Sequence, residues 1–183
     1  MKKTWIILGI VVLIALWFWA AYNSFVTANQ AVDNQWAQVE VQYQRRFDLI
    51  PNLVATVQGI AKQEQVIFTA LAQARQNYAG AKTVNEKVAA ANQVESALSR
   101  LLIIVENYPT LKSAENFLTL QAQLEGTENR IAVERSRYNE AVTALNLKVK
   151  RFPGNLIAGM FGFQERTYFT PTPGSENAPQ VTF

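Results

Sequence analysis

From Thr4 to Val32 the chain carries no charged residue, and the first part of that run, Trp5 to Ala21, is almost wholly apolar and aromatic. About 18 to 20 such residues suffice for a helix to cross a hydrocarbon core roughly 30 Å thick. The run therefore reads as a membrane anchor, and whatever follows it must fold beside a lipid surface. Lys2 and Lys3 precede the run, whereas the first basic residues beyond it are Arg45 and Arg46. Those two lie outside the roughly 15 to 20 flanking residues that bias insertion. The expectation is a single pass through the plasma (inner) membrane, with the amino terminus cytoplasmic and the body extracytoplasmic. A cleaved secretion signal is the competing reading, since it too opens with basic residues and an apolar stretch. Against it, Trp17, Phe18 and Trp19 stand where cleavage would need small side chains, and their rings suit the interface belt of a retained helix.

Composition removes several kinds of chemistry. The 183 residues include no histidine and no cysteine, which excludes the commonest general base, the Ser-His and Cys-His nucleophile pairs, disulfides and most transition-metal sites. A net charge of +3 is too small to imply a nucleic-acid partner, and no interleaving of basic and aromatic residues suggests one. No catalytic residue, cofactor-binding residue or metal ligand is assigned, and the chain is expected not to be an enzyme.

Beyond Asn23 apolar residues recur at helical spacing, with punctuation at Pro51, Gly80, Pro109 and Pro153. This pattern predicts four helices. The first carries Val32, Trp36, Val39, Tyr43 and Phe47 and continues straight out of the anchor. The second is expected to begin near Asp48, acting as a cap with Pro51 in the first turn, and to bury Leu53, Val57, Ile60, Ile67, Leu71 and Ala74. One continuous helix kinked at Pro51 is the alternative. The third aligns Val84, Val88, Ala91, Leu98, Leu102 and Val105. The fourth, capped by Ser113, places Phe117, Leu124, Ile131, Tyr138, Leu145 and Phe152 at every seventh position, as in the seam of a bundle. The expected fold is all α: an N-terminal transmembrane helix leading into an antiparallel, up-and-down four-helix bundle. The expected divisions are an anchor at 1–22, a bundle at 23–153, a short apolar membrane-proximal segment at 154–169 and a flexible tail at 170–183.

The run Arg45-Arg46-Phe47-Asp48-Leu49-Ile50-Pro51-Asn52-Leu53-Val54 resembles the signature of the LemA family. Similar blocks follow in order: Val105 to Pro109, Leu120 to Glu125, Thr127 to Ala132, Arg137-Tyr138-Asn139 and Phe152-Pro153. The resemblance covers Tyr22 to Phe163. It implies a single-pass membrane protein with a helical bundle and no established enzymatic activity, and it points to a family in which some relatives are linked to organelle or membrane biogenesis.

Up-and-down topology brings two groups of residues together. At the end away from the membrane, Arg45, Arg46, Asp48, Glu106 and Tyr108 form a charged cap, either a structural clasp in which Arg45 or Arg46 pairs with Glu106 or a recognition surface for a protein partner. At the membrane end, Lys148, Lys150 and Arg151 are followed by Leu156, Ile157, Met160, Phe161 and Phe163 in a segment too short to cross a bilayer. That segment either lies on the lipid surface or in a subunit contact, or folds back to close the bundle. Glu64, Glu95 and Glu134 interrupt the apolar stripes, with Glu128 at a similar height, so either arginine and amide partners or an oxygen-ligated cation must satisfy them. Gly59 and Gly126 read as close-packing points. The function these features favour is a membrane-anchored helical scaffold or adaptor that forms homo-oligomers and meets an unidentified membrane or envelope protein. A membrane-remodelling or pore-like oligomer is the alternative, and a carboxylate metal-binding protein a weaker one.

Overall fold

The computed structural model describes residues 2–59 and 64–170. Among these the chain is all α, without a strand, and forms six helices: α1 (Lys2–Gln58), α2 (Gln65–Gly80), α3 (Val84–Val105), α4 (Pro109–Lys112), α5 (Glu115–Lys150) and α6 (Gly154–Phe161). They belong to two compact units, one built from the chain up to residue 39 with residues 134–168, the other from residues 40–133 with the chain from 169 onward. The tail expected at 170–183 lies, beyond residue 170, outside the described residues.

In the first unit no residue in the apolar window of α1 is buried, Trp5 being 74% accessible, and the helix is long and apolar enough to cross a membrane. From Phe25 onward one face turns inward, with Phe25, Val32, Trp36 and Val39 buried. The last turns of α5 supply Tyr138, Val142 and Leu145 to this core, and the Trp36 and Tyr138 rings meet edge-on at 5.4 Å. α5 ends at Lys150, so Phe152, expected as the last seam residue, is 79% exposed. The chain then folds back as α6. Gly154 makes this possible, because a Cβ there would collide with the Lys148 carbonyl and sit 3.3 Å from the Phe25 ring. Gly162 ends α6 at a positive φ of 75°, the left-handed conformation that glycine adopts without steric cost. Beyond it Phe163 stacks on Phe25 at 5.0 Å.

Residues 163–168 continue across the same unit as a polar strap. The Arg166 backbone N–H donates to Asn146 Oδ1 at 2.8 Å and the Asn146 side chain donates back to the Arg166 carbonyl at 2.9 Å. The Arg166 guanidinium reaches Asn29 at 3.1 Å and Asp33 at 3.0 Å on α1. The Tyr138 hydroxyl donates to the Thr167 carbonyl at 3.0 Å. Asn146, buried beside Leu145, is thus satisfied on both sides of its amide.

In the second unit the expected break between the first two helices is absent: α1 runs through Pro51 to Gln58. Asp48 is not a cap; its carboxylate accepts from the Gln44 amide at 2.7 Å. Proline in a helix interior removes one backbone bond and costs about 3 kcal/mol. The buried stripe Tyr43, Phe47, Ile50, Leu53 and Val57 keeps one phase on both sides of Pro51, and burying side chains of this size contributes about 1.5–3 kcal/mol each. A break would have forfeited part of that stripe. Leu53 and Val57 therefore belong to α1, Ile67, Leu71 and Ala74 to α2, and Ile60 lies outside the described residues.

α2 and α3 pack together. The start of α3 is fixed by a reciprocal cap in which Glu86 N–H donates to the Thr83 hydroxyl at 3.2 Å while the Glu86 carboxylate accepts from Thr83 N–H at 3.1 Å. Backbone donors at Lys82 and Thr83 hold the Glu86 carboxyl below its ordinary pKa. The face that α3 buries is richer in small residues than expected: Ala90, Ala91, Val94, Ala97, Leu98, Leu101 and Val105 are inside, and Val84, Val88 and Leu102 only partly so. Ser113 does not cap α5; it follows the single turn α4 and its hydroxyl donates to the Pro109 carbonyl at 3.0 Å.

Replacing Pro51 by alanine restores the bond to the Phe47 carbonyl at an exposed position. Urea denaturation of the detergent-solubilised protein, followed by far-ultraviolet circular dichroism, is expected to show a gain of about 1–3 kcal/mol.

Candidate functional site

Arg45 and Arg46 are adjacent on α1 and so point about 100° apart, which prevents both from joining one surface. Arg46 goes inside, 8% exposed, between Tyr43 and Phe47. Its Nη1 pairs with Glu128 on α5 and lies 3.8 Å from Glu95 on α3. One guanidinium thereby links three helices of the second unit. Its Nε has no hydrogen-bond partner among the described residues, so the charge is compensated at one end only. Glu128 keeps 43% of its side chain accessible and remains hydrated while it neutralises the arginine.

This arrangement corrects the expected clasp. The partner of Arg46 is not Glu106, which is an exposed residue closing α3, with its backbone N–H directed to the Ile103 and Ile104 carbonyls. Tyr108 is half-buried ahead of Pro109 at the start of α4. Of the five expected cap residues, Arg46 belongs to the interior, whereas Arg45, Asp48 and Glu106 are exposed.

The inward carboxylates are likewise distributed. Glu95 and Glu128 meet Arg46. Glu134, in the first unit, accepts from the Gln35 amide at 2.6 Å and from Arg137 at 2.8 Å. Glu64 precedes α2, where its backbone carbonyl accepts from Ile67 and Phe68. Among the described residues no three acidic side chains converge in a way that could hold a metal ion.

Beside Arg46 an aromatic cluster joins Tyr43, Phe47 and Tyr78, with centroid separations of 5.8, 5.5 and 4.7 Å. The Tyr78 hydroxyl is buried and has no hydrogen-bond partner among the described residues. Burial first, then the charge of Glu40 and the neighbouring Tyr43, push its pKa far above the ordinary tyrosine value. Glu40 itself pairs with Lys87.

The segment expected at the lipid surface divides into two faces. Ile157 is buried and Phe163 half-buried, while Leu156, Met160 and Phe161 are exposed. The Phe161 ring also lies 4.9 Å from Tyr22 at the end of the apolar run. Lys148 donates to the Ser24 carbonyl at 3.1 Å and Lys150 pairs with Glu165 at 2.8 Å. The Glu165 hydrogen bond and charge hold the Lys150 ammonium above its ordinary pKa. Arg151 is exposed. Sequence reasoning did not find Arg166 and Asn146, although a polar residue beside Leu145 on the seam was a signal that some partner must reach it.

A profile of the LemA family matches residues 35–183. The chain belongs to the LemA family. The match begins inside α1, past the apolar run, and takes in residues of both units. The magnetosome proteins MamQ 1 and MamQ 2 of Paramagnetospirillum magneticum are each 28% identical to the chain over 187 residues, covering 88% of it and 68% of the relative. MamQ of Magnetospirillum gryphiswaldense is 27% identical over 189 residues, covering 87% and 70%. Two of the LemA-like blocks now have a structural meaning, because Arg45 to Val54 contains Arg46 and Thr127 to Ala132 contains Glu128, the two halves of the ion pair.

Removing Arg46 takes the cation from Glu128, and Arg46→Ala is expected to lower stability by about 1–3 kcal/mol, less than for a fully buried pair because Glu128 stays hydrated. Glu106→Ala is expected to change it by no more than about 0.5 kcal/mol. The raised pKa of Tyr78 means that the folded chain keeps a proton which the unfolded chain loses. Stability contributed here is therefore complete below about pH 10 and falls as pH rises above it. In Tyr78→Phe that contribution to the alkaline fall should disappear, with neutral-pH stability unchanged or higher by up to about 1 kcal/mol. Urea titrations at a series of pH values measure both effects.

Proposed function

We propose that this LemA-family protein is a single-pass, membrane-anchored helical scaffold. In this reading residues 1–22 hold it in the plasma (inner) membrane with the amino terminus cytoplasmic. Residues 23–153 form most of the extracytoplasmic body, and the exposed face of α6 lies against the lipid. The body self-assembles and offers its exposed charges, Arg45, Asp48 and Glu106 among them, to a membrane or envelope protein. No reaction is assigned to it.

One observation carries the reading. Within a single unbroken helix, a window of apolar side chains none of which is buried gives way to a face that is buried from Phe25 onward. An exposed apolar band of that length matches a hydrocarbon core roughly 30 Å thick. α3 is also long and apolar enough to span a membrane, but 39% of its apolar window is already buried, as befits a core helix. The Tyr22–Phe161 contact supports a position for α6 beside the end of the apolar run, where Leu156, Met160 and Phe161 would reach the acyl boundary with Arg151 near anionic headgroups. The exposed apolar face of α6 also favours a second reading, a membrane-remodelling oligomer that uses α6 as a wedge.

The mass of the full-length protein in mild detergent, beside that of a form lacking residues 1–22, tests the scaffold. A discrete oligomer is expected, and a monomer in both samples would refute self-assembly. Flotation of the shortened form with phosphatidylglycerol vesicles tests α6. Binding should be lost when Leu156, Met160 and Phe161 are all changed to serine, and binding that survives this change removes the lipid contact. Tubulation or leakage of the vesicles by the unaltered protein would select the second reading.

A further inference from the structure

The second unit contains a groove of about 520 Å³ between α1 and α5 that the ion pair does not use. Arg45 and Leu49, one turn apart, form the α1 wall; Ala122, Gly126 and Arg130, each one turn from the next, form the α5 wall. Both arginines are exposed, and neither has a hydrogen bond or ion pair among the described residues. Asp48 also lines the groove; the Gln44 amide bonded to its Oδ1 leaves its negative charge in place, so the two guanidinium groups outnumber the one carboxylate.

Gly126 gives this groove its meaning. It stands well inside α5, where glycine costs about 1 kcal/mol relative to alanine. It was expected to be a close-packing point, yet a Cβ at Gly126 would meet nothing within 4 Å. Packing inside the unit does not require it. What the missing side chain leaves is a bare stretch of helix on the outer surface, with Leu49 and Ala122 beside it, the polar Gln123 and Thr127 next to them, and one free guanidinium on each wall.

We propose that this groove is the docking site for an acidic segment of another protein. The segment's backbone passes over Gly126, an apolar side chain rests against Leu49 and Ala122, and glutamate or aspartate carboxylates on either side take the forks of Arg45 and Arg130. A small free anion would be held by the two cations alone and would gain nothing from a glycine floor, so the bare helix favours a polypeptide. The proposal deepens the scaffold reading by naming the chemistry of the partner. Its failure would show in peptide binding, whereas failure of the scaffold reading would show in the mass of the detergent-extracted protein.

The test uses the full-length protein in non-ionic detergent and a fluorescein-labelled peptide, Glu-Glu-Leu-Glu-Glu, read by anisotropy beside its Lys-Lys-Leu-Lys-Lys counterpart. The acidic peptide should bind, with affinity falling as salt is raised, and the basic one should not. Arg45→Glu with Arg130→Glu should weaken binding by about tenfold or more. The same change of net charge made by Arg75→Glu with Arg100→Glu should leave it within about twofold. Gly126→Val, which preserves the helix because valine is a better helix former than glycine, should weaken binding by about tenfold. Absence of binding by the acidic peptide, equal losses in the two charge-reversed pairs, or indifference to Gly126→Val would each overturn the proposal. So would displacement of the peptide by inorganic phosphate at equal affinity, which would make the groove a simple anion site.

Discussion

A continuous helix has one phase, and the rest of this structure depends on the phase of α1. Once Val32 and Trp36 face inward, Val39, Tyr43, Phe47, Ile50, Leu53 and Val57 must follow at intervals of three or four, and all of them are buried. The same phase decides which arginine is interior and which is exterior, since Arg45 and Arg46 cannot lie on one face. It also explains why Pro51 is tolerated. A turn at that point would have released Leu53 and Val57 from the stripe, and the apolar area they bury outweighs one missing backbone bond.

Within that frame the pair of Arg46 with Glu128 works as a selector of register. A charge that is nearly buried cannot be left uncompensated, so α3 and α5 must present Glu95 and Glu128 at the level of Arg46. The net gain from such a pair is small because desolvation offsets attraction. Its discrimination is large, because a shift of one turn in either partner would move a carboxylate about 5 Å away. The Ala-rich buried face of α3 carries little shape information of its own, which makes a polar key of this kind more useful there than it would be beside large branched side chains.

Much of the architecture was legible in the sequence because it follows from short-range periodicity. The apolar run, the all-α fold and the seam at Phe117, Leu124, Ile131, Tyr138 and Leu145 need only spacing, and those five residues are buried. Reading Pro51 as a boundary failed because a local rule was applied without the longer stripe that overrides it. The clasp of Arg45 or Arg46 with Glu106 was not found, because pairing across three helices depends on register, which spacing along one helix does not fix. Gly126 was misread for a related reason: a glycine in a helix shows that a side chain is unwanted, and only the packing shows on which side. The apolar character of residues 154–163 was evident, but Ile157 inward and Met160 outward follow from the fold-back at Gly154.

The strap that ends at Thr167 and Tyr168 orders events during synthesis. The contacts that cover Phe25 and its neighbours come from the far end of the chain: Lys148 reaches Ser24 across 124 positions, and Arg166 reaches Asn29 across 137. Translation delivers α1 first, so its inner face emerges long before the residues that cover it exist. Contacts so distant in sequence carry the entropy of closing a long loop and form late. A chain that stops short of the strap would thus leave the face of α1 around Phe25 open. The core of this unit is therefore a closed loop, formed only when residues 146–168 have come back onto the inner face of α1.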